Sequence, residues 1–509
     1  MGNFKQKLTS VLRGRNFASG LLVALLIAAV VFINIICYTL SDYFKLYFYV
    51  PEQVDFSISD TFREKFTDAS GRLGKKVTVT FCMDETDVKN HSTGEYVYNT
   101  AKKFEEKYPE LISLRFINIY RMSDADGNDV SEELEIYKKD VKGNPTLIKP
   151  HSVIFSTDTS YRVVTDGVTK VGFSDFYTLD SSLSVTSYNG EEVFASMVSW
   201  VLTEKHGTAY FTVGHGETAS ASLYNVLTAA GYYVDTLNLR DSKVLAVPED
   251  AELVVVSNPV NDFEKSGEGS SVKKSELDKL RHYRDNGGSV FVTLDSYATR
   301  LYALYEFIGE YGISLKTTEN GEMQTVKDVD NGITTDGYTI VAEYSETYIG
   351  NKVKDKLSDL GGRVILRDVS PLNVTGAAKS LLETSSSSVC HSGGQVSDSS
   401  GSYTIAAYSE LTGETGKTAR LFFIPSIYLT ATDAMVTNGY ANKDFLFSVF
   451  DVFYGMGDMP YGCNSIVYDS LLLENLTMGT AKLYTAALLV IPAAVAVVGA
   501  VVLIRRKNR

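Results

Sequence analysis

Two uncharged apolar stretches, one near each end of the chain, constrain this sequence more than anything between them. Phe17 to Leu40 runs 24 residues without a charge, and Leu21 to Ile33 is continuously apolar. At ~1.5 Å per residue, a helix of that length crosses a ~30 Å hydrocarbon core. A signal peptide is the competing reading, but its apolar core usually runs ~7–15 residues and ends at small-x-small. This stretch continues instead through Ile35 and Ile36 into Tyr38. Cys37 is poorly placed for lipid attachment, because Ile36 before it is bulky and Asn34 is polar. The second stretch, Leu483 to Ile504, is 22 residues long and contains Pro492 and Gly499, which membrane helices tolerate.

Charge orients both segments. Lys5, Lys7, Arg13 and Arg15 precede the first, and Arg505, Arg506, Lys507 and Arg509 follow the second. Short basic flanks stay in the cytoplasm, so both termini are expected there, with residues from about 45 to 480 outside. The net charge is −14, and without those eight terminal positives the middle carries −22. No nucleic-acid partner is therefore expected, since phosphate contact needs clustered Lys and Arg. The expected plan is a basic tip over 1–16, membrane helices over 17–40 and 483–504, extracytoplasmic domains over 45–190 and 191–460, a juxtamembrane segment over 461–482, and a basic tip over 505–509. Tyr43, Tyr47 and Tyr49 suit the membrane interface.

Within this plan, alternation in Lys76 to Phe81, helical spacing in Tyr96 to Tyr108 and a further strand over Leu111 to Ile119 predict a β-α-β unit. With the strand Ser152 to Ser156, its element order is thioredoxin-like. The redox chemistry is missing: Cys82-Met83-Asp84-Glu85 has one thiol and two acids where a CxxC would stand. Cys82, Cys390 and Cys463 allow at most one disulfide, and no zinc spacing or other cofactor signature occurs, so no metal or cofactor is expected.

A helix over Glu191 to Glu204, carrying the only Trp, leads into a more regular region. Strands over 208–213, 232–239, 253–257 and 289–294 alternate with helices over 219–230 and 273–286, which predicts a doubly wound parallel sheet. Arg300 to Tyr311 reads as another helix. The pattern weakens after Ile313 and resumes over 363–366, 403–408 and 421–425, with a closing helix over Asn442 to Tyr454. Thr384 to Ser402, rich in Ser and Gly, reads as a surface loop.

Ligands of open α/β sheets bind beyond the carboxyl ends of the strands. Three loops reach that edge: Gly214-His215-Gly216-Glu217, Ser257-Asn258-Pro259 with Asn261-Asp262, and Asp295-Ser296. Gly214, His215, Gly216, Glu217, Asn258, Asp262 and Asp295 are the candidate cleft residues. The two glycines permit a tight backbone path, and the following helix start could hold an anion or a carbonyl oxygen. The plainer reading is a strand-to-helix turn, with Glu217 in the first helical turn favoured by the macrodipole. His215 with Asp262 or Asp295 could form an acid/base pair, but no G-x-S-x-G or Cys elbow follows any strand, so no catalytic residue is assigned. Gly413-Glu414-Thr415-Gly416-Lys417-Thr418 fails as a P-loop, because Leu411 stands where the first Gly belongs and a strand follows; it is expected to be a turn.

The run Tyr210 to Glu217, the strand Leu253 to Val256 with Ser257-Asn258-Pro259, the helix Glu276 to Arg284 into Asn286-Gly287-Gly288, and Leu294-Asp295 together resemble the GldG-type auxiliary components of ABC-2-like transport systems. The terminal stretches and Asn442-Lys443-Asp444-Phe445 match as well. The resemblance implies a glutamine-amidotransferase-like second domain and a non-enzymatic subunit, partnered by a separate ATPase and a multi-spanning permease in a bacterial cell membrane. The alternatives are a cell-surface hydrolase or ligand-binding protein using His215, Glu217 and Asp295, and an adhesion or wall-binding ectodomain.

Overall fold

The computed structural model describes residues 56–467 apart from short stretches, and beyond them only isolated residues. The two long apolar stretches and Tyr43, Tyr47 and Tyr49 lie almost entirely outside the described residues. Among the described residues, no helix is long and apolar enough to cross a membrane. The fold is mixed α/β, built on two main sheets of five and eleven strands with two small three-stranded sheets beside them.

The first sheet begins with β1 (Val77–Phe81), followed by α1 (Glu85–Asn90), α2 (Gly94–Lys107), β2 (Ile112–Asn118), β3 (Ser123–Asp124), α3 (Ser131–Ile136), β4 (Val153–Ser156) and β5 (Tyr161–Val164). Its order is β3-β2-β1-β4-β5, with β1 and β2 parallel and β4 antiparallel to both β1 and β5. Helix α2 forms because Val97, Ala101 and Phe104 recur on one face while Lys102–Glu105 and Lys103–Glu106 pair on the other. It stops at Lys107, because Pro109 pushes Tyr108 out of helical dihedrals.

Next come β6 (Tyr177–Leu179), β7 (Val185–Tyr188) and α4 (Gly190–Leu202). The expected plan puts this helix at the head of the second domain, yet its apolar side chains complete the first core. Phe194 meets Phe104 at 5.5 Å and Phe155 at 5.2 Å between ring centres. Periodicity shows that a helix has an apolar face, but not which sheet covers it.

Eleven of the strands that follow form the second sheet. Its first half is β8 (Thr208–Thr212), α5 (Ala221–Ala229), β9 (Tyr233–Leu237), β10 (Ala251–Ser257), α6 (Glu276–Asp285), β11 (Ser289–Thr293) and α7 (Tyr302–Gly309). Then follow β12 (Ile313–Leu315), β13 (Thr325–Lys327), β14 (Thr339–Tyr344), α8 (Tyr348–Leu357), β15 (Val364–Arg367), β16 (Leu372–Val374), β17 (Lys379–Glu383), β18 (Val389–Ser392) and β19 (Gln395–Val396). The chain closes with β20 (Thr404–Thr412), β21 (Thr418–Ile424), α9 (Thr432–Val436), α10 (Asn442–Tyr454) and β22 (Ile466–Val467). Of the strands after β7, β13, β18 and β19 form a small sheet of their own and β22 joins β6 and β7 in another, which leaves the other eleven to the second sheet.

Only part of this sheet is parallel. In the order β9-β8-β10-β11-β21 all neighbours are parallel, and helices cover both faces. Leu253 and Val255 face the core shared with α5, α8 and α10, while Val254 and Val256 face α6 and α7. Beyond β21 the order continues β20-β17-β14-β15, antiparallel throughout. The parallel sheet expected from the strands over 208–294 is found in β8 to β11, and the antiparallel half begins where a short hairpin, 413–417, joins β20 to β21, because so short a connection permits only antiparallel pairing. That hairpin is the turn expected in place of a P-loop.

The expected surface loop over 384–402 is also corrected. It contains β18 and β19, which pair with each other and with β13, and it buries Cys390, Ser385 and Ser388. Asp328 draws it inward, accepting hydrogen bonds from Ser385, Ser387 and Ser388.

The described span starts and ends at one place. Phe56 packs against Tyr96 and Tyr188, with ring centres 5.3 and 6.5 Å apart, and the Ser59 N–H donates to Glu191. From the other end, β22 pairs antiparallel with β7, setting Ile466 opposite Tyr188, and Ser465 donates to Asn189.

Candidate functional site

The chain leaves β8 for β9 on one side and returns to β10 on the other, so the strand order reverses between β8 and β10. The Gly214–Glu217 and Asn258 loops emerge at this switch point, at the carboxyl ends of the two strands. Gly214 and Gly216 have φ of +113° and +75°, which a side chain at either position would strain. A Cβ at Gly214 would also lie 3.1 Å from the Asn238 side chain. These dihedrals turn His215 inward beneath the sheet edge.

His215 is completely buried and clamped. Its Nδ1 lies 3.0 Å from Glu217 Oε1, its Nε2 lies 3.0 Å from Glu276 Oε2, and its backbone N–H donates to Glu217 Oε2 at 2.7 Å. Phe263 stacks on the ring with centres 4.0 Å apart. The His215 carbonyl accepts the Val260 and Asn261 N–H groups at 2.9 and 2.8 Å, tying the turn to the loop after β10. Burial alone would lower the imidazole pKa, but hydrogen bonds and charge from Glu217 and Glu276 outweigh it and raise the pKa to about 9. Both carboxylates, which burial would push up, are held below the ordinary range by His215. An imidazolium donating from both ring nitrogens satisfies this arrangement.

Glu276 was not legible as part of the site. It opens α6, where Ser275 and Asp278 form a reciprocal cap, and it also accepts the Glu264 N–H at 2.8 Å. A Ser-Glu start is an ordinary helix signal, and nothing in it points to a partner 61 positions away.

The other candidates are also engaged within the protein. Asp262 accepts the Ala303 and Leu304 N–H groups at 2.8 and 3.1 Å and thereby caps α7. Asn258, at φ 49°, donates to Thr218 and accepts the Asp295 N–H at 3.0 Å, joining three loops. The start of α5 is capped by Ser220, which accepts the Leu223 N–H, rather than left open to an anion. Glu217 precedes that helix and serves His215 instead of the helix dipole. The structure thus gathers the predicted residues at one edge, but His215 is not paired with Asp262 or Asp295, and the polar groups chiefly satisfy one another.

An open cavity of about 680 Å³ lies at the opposite, amino end of the parallel strands, lined by residues including His282, Gly287, Lys417 and Arg420. Cys82, Cys390 and Cys463 are free thiols. Burial pushes the Cys82 thiol up to about 12, so it stays protonated where a reactive thiol would ionise.

No protein-family model matches the chain, and no curated protein matches it. Among solved structures, the IFT52 N-terminal domain is 17% identical, with 50% of this chain and 99% of that chain covered and a TM-score of 0.36. A glutamine amidotransferase from Thermotoga maritima is 11% identical over 49% of this chain and 99% of its own, with a TM-score of 0.27. A cytoplasmic protein from Salmonella typhimurium is 13% identical over 47% and 98%, with a TM-score of 0.30.

Proposed function

We propose that this chain is a non-catalytic, membrane-anchored auxiliary subunit of an ABC-type transport system. Its two-sheet ectodomain contacts the permease or the substrate outside the bacterial cell membrane, and both termini lie in the cytoplasm. In this reading the first sheet is thioredoxin-like in its element order, and the second is related in plan to glutamine-amidotransferase-like domains. ATP hydrolysis belongs to a separate partner.

The observation that carries the reading is the meeting of the two ends of the described span. Phe56 and Ile466 both pack on Tyr188, and fifteen residues separate each end from its neighbouring apolar stretch. An entry and exit that lie close together suit a domain held at both ends beside one bilayer, and tethering there raises its effective concentration near a membrane partner. The hydrolase alternative is disfavoured by His215, which is buried and saturated by two carboxylates with no nucleophile among its partners.

Co-purification of the tagged full chain in mild detergent tests the proposal. A permease and an ATPase carrying Walker motifs are the expected companions. Repeated recovery of the chain alone, from cells in which both are expressed, would overturn it.

A further inference from the structure

We infer that the cavity between β5 and β9, the edge strands of the two sheets, binds a hydroxylated ring bearing an oxyanion, a single sugar acid or sugar phosphate in size, with Arg162 as the anion receptor. The inference goes beyond the transport reading and does not depend on it.

The cavity holds about 190 Å³, and its lining includes Asp140, Tyr161, Arg162, Trp200, Tyr224 and Tyr233. Sites for drug-sized ligands run ~300–1,000 Å³, so this one accommodates about one ring. Trp200 is locked in place by His206, stacked at 3.9 Å, and by Tyr233, edge-on at 5.4 Å. The Arg162 guanidinium lies over the Trp200 ring, 5.0 Å from its centre, which fixes its plane.

Arg162 has no hydrogen-bond acceptor and no ion-pair partner among the described residues, whereas Arg115, Arg121, Arg281, Arg284 and Arg420 all pair with carboxylates. Its donors open into the cavity rather than onto a protein acceptor, with the charge of Asp140 close enough to act on it. Its planar fork matches a carboxylate or a phosphate bidentately. The buried indole N–H of Trp200 likewise has no acceptor. The Tyr224 hydroxyl can exchange hydrogen bonds with ring hydroxyls, and the tyrosine faces supply apolar surface for a ring. Receptor for the anion, acceptor for hydroxyls and aromatic walls thus converge on one small space.

Trp200 is the only Trp in the chain, so its fluorescence reports the site within the intact protein. The full chain in detergent is titrated with galacturonate, with glucose 6-phosphate and with glucose. A saturable change with at least one of the two acids, and none with glucose, is expected; the acid that responds identifies carboxylate or phosphate as the anion. Arg162→Gln weakens that binding at least tenfold. Tyr224→Ala, at a side chain 47% exposed, keeps the test decisive should Arg162→Gln not fold, and it weakens binding at least threefold. Silence with both acids, an equal response to glucose, or undiminished affinity in either folded variant overturns the inference.

Discussion

His215 and Glu276, 61 positions apart in sequence, meet at 3.0 Å in the interior, and their contact joins the turn after β8 to the first residue of α6. With Glu217 on the other ring nitrogen, the imidazole becomes a rivet between two loops at the switch point of the sheet. Its chemistry is that of a buried ion pair, whose geometry matters more than its net strength.

Removing the cation leaves two carboxylates without their shared partner. His215→Ala is therefore expected to destabilise the protein by about 3–5 kcal/mol, the range for breaking a buried pair. Glu276→Gln, which keeps a hydrogen-bonding side chain, is expected to lose less. Denaturant midpoints of the two variants against the parent check the ranking.

Stability should fall on the alkaline side. The folded His215 pKa, about 9, lies above the ordinary 6.5, so its contribution is complete below 6.5, declines between the two values and is lost above about 9. The shift corresponds to roughly 3 kcal/mol. Glu217 and Glu276 run the other way: held below 4.5, they contribute above that value, and the contribution is lost as pH falls through their lowered pKa values. Unfolding midpoints measured from about pH 6 to about pH 10 should show the alkaline decline in the parent, and His215→Leu should flatten it.

Backbone at the turn is as specific as the side chain. Gly216→Ala, forced to a φ of +75°, should cost about 1–2 kcal/mol. Gly401→Ala, with open space around its Cβ position, should be neutral or stabilising by up to about 1 kcal/mol. Thermal melts of the pair separate backbone strain from a general intolerance of alanine.

The serine-rich segment depends on one carboxylate. Asp328→Ala strands the buried hydroxyls of Ser385 and Ser388 and should cost about 1–3 kcal/mol. Hydrogen exchange over residues 384–402 should rise in that variant while β10 and β11 stay protected.

Sequence periodicity was most informative where each element reads alone. The unbroken apolar run Leu253 to Val256 is the pattern of a strand buried on both faces, and Gly231, at φ +97°, ends α5 in the left-handed conformation that glycine permits. The site's location at the edge after β8 and β10 followed from strand and helix alternation. Its internal wiring did not, because a long-range partner such as Glu276 leaves no local trace. The antiparallel half was obscured for a related reason: β17 and β20 pair through register shifts, and β12, β13 and β16 are three residues long, too short to show a period. Asp328 shows how a single buried acid can order a stretch whose composition reads as loop.

The convergence of both flanks on Tyr188 also decides how the molecule carries mechanical load. Tension applied between Phe56 and Val467 is borne by the two-residue β22–β7 ladder and by the rings around Tyr188. The eleven-stranded sheet hangs outside that load path, so a pull at both ends shears a short seam and leaves the large sheet unstretched.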